Sequence, residues 1–215
     1  MKPIKQYISE KLKINKDNII SKNEFKYFPE DKYELREMIS DHILMQAGET
    51  HTSVDLSDID VSGIDDFGHL FRGFNYLKSI NVSNWDTSKI TNFENTFAEL
   101  NKVTEIIGLD DWDVSNAKIM KGMFYKCKSL NELDLFGWDT KSLLNIRSMF
   151  SYCENLKSIN GIENFNVLNV VDVWGAFCDC KKLKCNLSKW KFNDRKNLDA
   201  SCFKMNARGI TGIEF

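Results

Sequence analysis

Six cysteines, three histidines and a regular row of aspartates are the residues of this chain with chemistry available to them. Cys178, Asp179, Cys180 and Cys185 fall close together, and thiolates with a carboxylate are zinc ligands by type. Their spacing is not a standard pair of metal hooks. Cys127, Cys153 and Cys180 each stand three residues after a phenylalanine, at Phe124, Phe150 and Phe177. Phe74 and Leu100 fill the same place after Phe71 and Phe97, so the position reads as interior and its cysteines as small hydrophobes. Cys202, aligned with Leu70, Met123 and Met149, is expected inside too, and Cys185 in the slot of Ile80 or Leu133. Cys178, aligned with Arg72, Ala98, Tyr125 and Ser151, is the one expected to look outward. His42, His51 and His69 precede these cysteines and stand near no nucleophile. The expectation is structural thiols, with no metal and no cofactor.

Asp60, Asp86, Asp113 and Asp139 recur once per repeat, mostly before Thr-Ser or Val-Ser. A row of carboxylates attracts divalent ions such as calcium. Short acidic side chains at a corner also accept hydrogen bonds from nearby backbone N–H groups, and four equal corners need four equal caps. Corner capping is the reading adopted. The tryptophans invite comparison with a carbohydrate or base-stacking platform, but Ile59 and Phe165 occupy two places in their series, which fits a buried spine. No Gly-rich phosphate loop, nucleophile elbow or histidine–carboxylate set stands in a catalytic context, so a non-enzyme is expected.

What positions these residues is a repeat. Phe71, Phe97, Phe124, Phe150, Phe177 and Phe203 lie 26, 27, 26, 27 and 26 residues apart. Ile59, Trp85, Trp112, Trp138, Phe165 and Trp190 follow at 26, 27, 26, 27 and 25. A fixed period of this size marks stacked units that each bury a face against the next. Inside a unit, the residues after the phenylalanine have the three-and-four spacing of one or two helical turns. Alternation then takes over, as in Leu77, Ile80 and Val82, and predicts a short strand with one buried face. Strands repeated in one sense form a parallel sheet, and the helical turns close the other side. The 27-residue steps carry an extra residue beside a glycine, at Ile107-Gly108-Leu109 and Asn160-Gly161-Ile162, as a bulge requires.

Residues 1–23 read as a basic amphipathic segment and linker, with Ile4, Tyr7, Ile8 and Leu12 on one stripe. Residues 24–50 read as a helical cap, Pro29 at its first helical position, its end near Gly48 and Leu35, Met38, Ile39, His42 and Ile43 inward. About six repeats fill 51–205, and 206–215 reads as a tail. The net charge of −2 is unevenly spread, with 4 basic and 12 acidic residues in 21–66 but 9 basic and 2 acidic in 181–208. No apolar run is long enough to span a membrane. With lysines at 5, 11 and 13 interrupting the start, no secretory leader is expected and the location is taken as cytoplasmic, or virion-associated.

NVSNWDTSKITNFENTF, DDWDVSNAKIMKGMFYKCKSLNELDL and FGWDTKSLLNIRSMFSYCENLKSI resemble the BspA-like leucine-rich repeats, with their Trp-Asp-Thr/Val-Ser turn, Met-Phe and Cys-x-x-Leu. FPEDKYELREMISDHIL is similar to the cap ahead of such repeats. The resemblance implies an α/β leucine-rich repeat solenoid: a parallel β-sheet of short strands, short helical turns and an α-helical N-terminal cap. It also implies a binding or adhesive role, often on bacterial surfaces. MKPIKQYISEKL resembles leader segments of tailed-bacteriophage proteins, which implies an alternative as a packaged particle component addressed by residues 1–16.

Two outer surfaces are candidates for binding. One is the outward strand positions Ser79, Asn81, Glu105, Ile107, Glu132, Asp134, Ser158, Asn160 and Asn186, a polar face with an acidic middle. The other is the basic end, with Lys181, Lys182, Lys184, Lys189, Lys191, Arg195 and Lys196, which a solvated terminal cap also accounts for. The expected partner is another protein, with nucleic acid unlikely because few aromatics are free there to stack bases.

Overall fold

The computed structural model describes residues 25–46, 52–193 and 198–215. Residues 1–16, with the addressing role expected of them, lie outside this range.

The first element is the helix α1, Lys32–Gln46. Asp31 caps it, its Oδ1 accepting the N–H groups of Tyr33 and Glu34, both at 2.8 Å. The helix therefore starts later than Pro29, because the carboxylate satisfies the first free N–H groups where a proline has none to offer. Leu35, Ile39, His42 and Ile43 are its buried stripe. The guanidinium of Arg36 donates to the carbonyls of His69, Leu70 and Arg72 and so ties α1 to the first repeat.

Each repeat contributes one very short strand: β1 Ser53–Asp55, β2 Ser79–Asn81, β3 Glu105–Ile107, β4 Glu132–Asp134, β5 Ser158–Asn160, β6 Cys185–Asn186 and β7 Ile210–Thr211. All pairings are parallel, in the register Ser53↔Ser79, Ser79↔Glu105 and Glu132↔Ser158. The inward residues Val54, Ile80, Leu133 and Ile159 are buried, as alternation requires. β7 lies in the stretch read as a tail and pairs with β6.

One expectation is corrected here. The strands do not make a single sheet but three: β1-β2-β3, β4-β5 and β6-β7. Both gaps follow the 27-residue units. Gly108 and Gly161 take φ of 90° and 86°, and each is folded onto the unit before it, so that a Cβ would stand 2.6 Å from Ser83 Cα or 2.5 Å from Phe136 Cα. The extra residue is used in that approach, and the strand leaves the line of its successor.

The opposite side corrects a second one. Where helical turns were expected there are non-helical turns with two columns of left-handed residues. His69, Asn95, Gly122, Ser148, Gly175 and Cys202 form one column, and Gly73, Glu99, Lys126, Tyr152, Asp179 and Asn206 the other. The reason lies in where the N–H groups go. Those of Phe67, His69 and Phe71 donate to Asn92, Glu94 and Thr96 of the next unit, while those of Leu70 and Arg72 turn back to Phe67 and His69. A helix would commit all of them within itself. Parallel bridges Asp66↔Asn92↔Ile119↔Asn145↔Asp172↔Asp199 run the whole way, so this side carries the stack across the gaps in the strands.

Between the two sides lie the aromatic columns. Phe71, Phe97, Phe124, Phe150 and Phe177 stack at 5.0, 5.6, 5.6 and 5.3 Å, with planes within 20° of parallel. Trp85 stacks on Trp112 at 6.1 Å, Trp138 on Phe165 at 6.1 Å and Phe165 on Trp190 at 6.4 Å. All five are nearly fully buried. The indole N–H groups of Trp85, Trp112, Trp138 and Trp190 reach the carbonyls of Leu56, Val82, Leu109 and Ile162 at 2.9, 3.4, 2.7 and 2.9 Å.

Phe203 breaks the pattern, meeting Phe177 at 79°. Its N–H bonds to Ala200 as that of Ala176 bonds to Val173, so it occupies the column of Met149 and Ala176, one place from the other phenylalanines.

Candidate binding surfaces

The aspartate corners are capped as expected. Asp60, Asp86, Asp113 and Asp139 accept the N–H two residues on, from Ser62, Ser88, Ser115 and Lys141, at 2.9 to 3.1 Å. The Ser88 hydroxyl holds the Asp86 carboxyl, and the Lys141 ammonium the Asp139 carboxyl, below the ordinary range, with the corner N–H bond adding to each. The same turn recurs at two further corners that the spacing did not single out. Asp55, Asn81, Asp134 and Asn186 make it at the ends of β1, β2, β4 and β6, and Asp66, Asn92, Asn145, Asp172 and Asp199 before the phenylalanines. The signal was present as an Asn or Asp at each corner.

Cys127, Cys153 and Cys180 are fully buried in one column, and each thiol donates to a carbonyl of the preceding unit: Phe97, Phe124 and Phe150, at 3.1, 3.0 and 2.9 Å. Burial pushes the Cys127 thiol up to about 12 and those of Cys153 and Cys180 well above the ordinary value. Two of the other three thiols reverse their expected places. Cys202 is exposed, because the shift of Phe203 moves it out of the Met149 column and into the left-handed column of Gly175. Cys178 is buried, as are Ala98 and Ser151, the short side chains at the same place in earlier units. Burial and the adjacent Asp179 push its thiol up to about 11. Cys185 is half-buried, and burial pushes its thiol to about 11. Among the described residues no three or more His, Cys, Asp or Glu side chains are grouped to hold a metal.

His42 is buried, bonded to Met38 O at 2.8 Å and Asp58 Oδ1 at 3.2 Å with its ring edge-on to Tyr27. His69 is exposed in a turn, and His51 lies outside the described residues.

On the strand side, Glu105, Ile107, Glu132, Asp134, Ser158, Asn160 and Asn186 are exposed, and Ser79 and Asn81 half-exposed. Asn81 donates to Asp55 and Asn160 to Asp134, at 3.0 and 2.9 Å, within each sheet. Ile107 ends β3 and Phe136 lies two residues past β4, with exposures of 46% and 65%. Two apolar side chains thus flank the gap between the first two sheets, in an otherwise polar face.

At the basic end the exposed lysines bond largely to their own body. Lys181 pairs with Glu154 at 3.1 Å, Lys182 with Asn155 at 2.6 Å and Lys189 with Asn164 at 3.0 Å. Lys184 shares a shallow depression with Lys157 and Gly209, and Lys191 is exposed. Arg195 and Lys196 lie outside the described residues.

A third surface was not anticipated. On the turn side, Tyr125, Tyr152, Trp174, Cys178, Cys202 and Met205 line an open groove of about 490 Å³. Tyr125 and Tyr152 meet edge to face at 5.8 Å, Lys126 lies over the Tyr125 ring at 4.9 Å, and Arg147 over Trp174 at 4.4 Å. A helical reading of these segments scatters such residues around a turn, whereas the left-handed columns align them.

A protein-family model described as "Mycoplasma protein of unknown function, DUF285" matches residues 40–159 and 132–208, well over half of the chain. The chain belongs to that family. No curated protein matches it. Among solved structures it is similar to a chain in "Crystal structure of TLR13-ssRNA13 complex", at 17% identity and a TM-score of 0.38, over 84% of this chain and 26% of that one. It spans about a quarter of that chain's length. Among the described residues no helix is long and apolar enough to cross a membrane.

Proposed function

We propose that the chain is a BspA-like leucine-rich repeat solenoid, capped by residues 24–50 and built from 51–205, that acts as a non-catalytic scaffold for binding another protein. The observation that carries this reading is the exposure of Ile107 at the end of β3 and Phe136 just past β4, 46% and 65%, above a spine whose rings from Phe71 to Phe177 are buried. An apolar centre within a polar rim is the anatomy of a protein interface. Glu105, Glu132 and Asp134 around it disfavour a polyanion, which supports a protein partner over nucleic acid. The reactive groups support a non-enzyme: the ladder thiols are sealed in the core and His42 is bonded on both nitrogens.

The test is capture from the native host with the full chain and with an Ile107→Glu/Phe136→Glu variant of unchanged thermal stability. A specific protein recovered by the first and lost by the second is expected. Equal recovery by both, a nucleic acid in place of a protein, or no specific partner overturns the reading.

A further inference from the structure

The outer face of α1 carries apolar side chains that no described element covers. Leu35, Ile39, His42 and Ile43 take up the inner stripe, which at 3.6 residues per turn leaves Tyr33, Glu37, Asp41 and Leu44 on the opposite side. Tyr33 and Leu44 are 75% and 67% exposed, and Met45 next to Leu44 is 51% exposed. A rise of 1.5 Å per residue sets Tyr33 and Leu44 about 16 Å apart along this face. Between them stand Glu37 and Asp41, and no ion pair or hydrogen bond joins either carboxylate to another described residue. Like charges four residues apart destabilise a helix until a cation joins them. The face is thus apolar at both ends and acidic in the middle.

We infer that this face is the docking site of residues 1–16 of the same chain, lying on α1 as a second, basic cap helix. The segment carries five lysines and one glutamate, a charge opposite to that of the face. Its stripe of Ile4, Tyr7, Ile8 and Leu12 also includes Lys11, four residues after Tyr7 and three after Ile8. Apolar contacts with Tyr33, Leu44 and Met45 therefore bring an ammonium to Glu37 and Asp41. The chain enters the described structure beside α1, where the Tyr27 ring meets that of His42 at 4.4 Å. Residues 17–24 span up to about 27 Å when extended, enough to cross a helix about 10–12 Å wide. The same copy is favoured over a second one, because a short tether holds the segment at a local concentration of roughly millimolar. The lysines at the other end of the stack are a poorer match, since Lys181, Lys182 and Lys189 already bond to their own body.

The experiment is hydrogen exchange of the full chain, followed by mass spectrometry of the fragments from residues 1–16 and compared with the synthetic peptide of those residues. Amides of residues 4–12 are expected to exchange roughly tenfold slower in the chain than in the peptide. A Tyr33→Glu/Leu44→Glu variant removes that protection while the urea midpoint of the repeats is unchanged. Glu37→Gln/Asp41→Asn reduces the protection and makes it less sensitive to salt. Exchange in the chain as fast as in the peptide, or equal protection in the native chain and the Tyr33→Glu/Leu44→Glu variant, overturns the docking. Protection that rises with protein concentration gives the face to a second copy and overturns the occupant.

Discussion

Gly161 lies so close to Phe136 that a Cβ at Gly161 would stand 2.5 Å from the Phe136 Cα. Gly108 repeats the relationship with Ser83, and Gly212 with Ser188, whose N would be 2.7 Å away. The residues just after the alternate strands are Val82, Leu135 and Leu187, all buried. Every second unit thus ends its strand on a glycine folded onto its predecessor, and the pairs β2-β3, β4-β5 and β6-β7 are the pairs so joined. The working module is two repeats, one closed by an aliphatic side chain and one by a glycine.

Gly161→Ala is therefore expected to cost about 1–3 kcal/mol from the left-handed backbone alone, with the clash against Phe136 in addition. Gly63, whose Cβ would meet only Pro29 O at 3.9 Å, serves as the neutral comparison. Urea midpoints of the two alanine variants measure the difference, and equal midpoints contradict the two-repeat module.

The Asp113 carboxylate accepts the Ser115 N–H at 2.9 Å, while the buried Thr87 hydroxyl donates to the Asp113 backbone carbonyl, which an alanine keeps. Asp113→Ala is expected to lose about 0.5–2 kcal/mol, as removal of a comparable cap does, and Asp113→Asn to retain most of the stability. An unchanged midpoint for the alanine variant counts against capping as the reason for this row of aspartates.

Trp138 joins two interactions, the indole N–H to Leu109 O at 2.7 Å and the stack on Phe165 at 6.1 Å. Trp138→Phe keeps the stack and is expected to cost about 1 kcal/mol for the hydrogen bond, with a smaller loss of volume. Trp138→Ala is expected to cost about 3–5 kcal/mol. Calorimetry on both separates the terms, and similar losses would show that the spine is not a packing column.

The phenylalanine and tryptophan columns and the aspartate corners were legible because side-chain type alone reports them: a buried ring recurs at a fixed period, and so does a short carboxylate at a corner. The turn side was not legible. Its apolar spacing matches a helix, and it is inter-unit bonds such as those of Phe67, His69 and Phe71 that show the backbone to be otherwise engaged. Cys178 and Cys202 were misplaced for a related reason. The spacing makes Phe203 the marker of the last unit, but it packs one place out of register, and nothing local distinguishes it from Phe177. The groove between these units depends on that shift, so no reading of spacing alone finds it.

The buried thiols set an alkaline limit on stability. Cys127 titrates near 9.0 when unfolded and is pushed up to about 12 by burial in the fold. Between these values the unfolded chain has lost a proton that the folded chain keeps, so stability falls as pH rises from about 9 toward 12. The slope is about 1.4 kcal/mol per pH unit for one such thiol, and Cys153 and Cys180 move in the same direction. Ala207 takes the corresponding place in the last unit, its N–H bonded to Lys204 O as that of Cys180 is to Phe177 O, so the column accepts alanine. Cys127→Ala is therefore expected to be less stable at pH 7 but to lose stability less steeply above pH 9. Urea unfolding of both proteins at pH 7, 9 and 10.5 measures the two slopes, and parallel slopes would mean that Cys127 does not stay protonated in the fold.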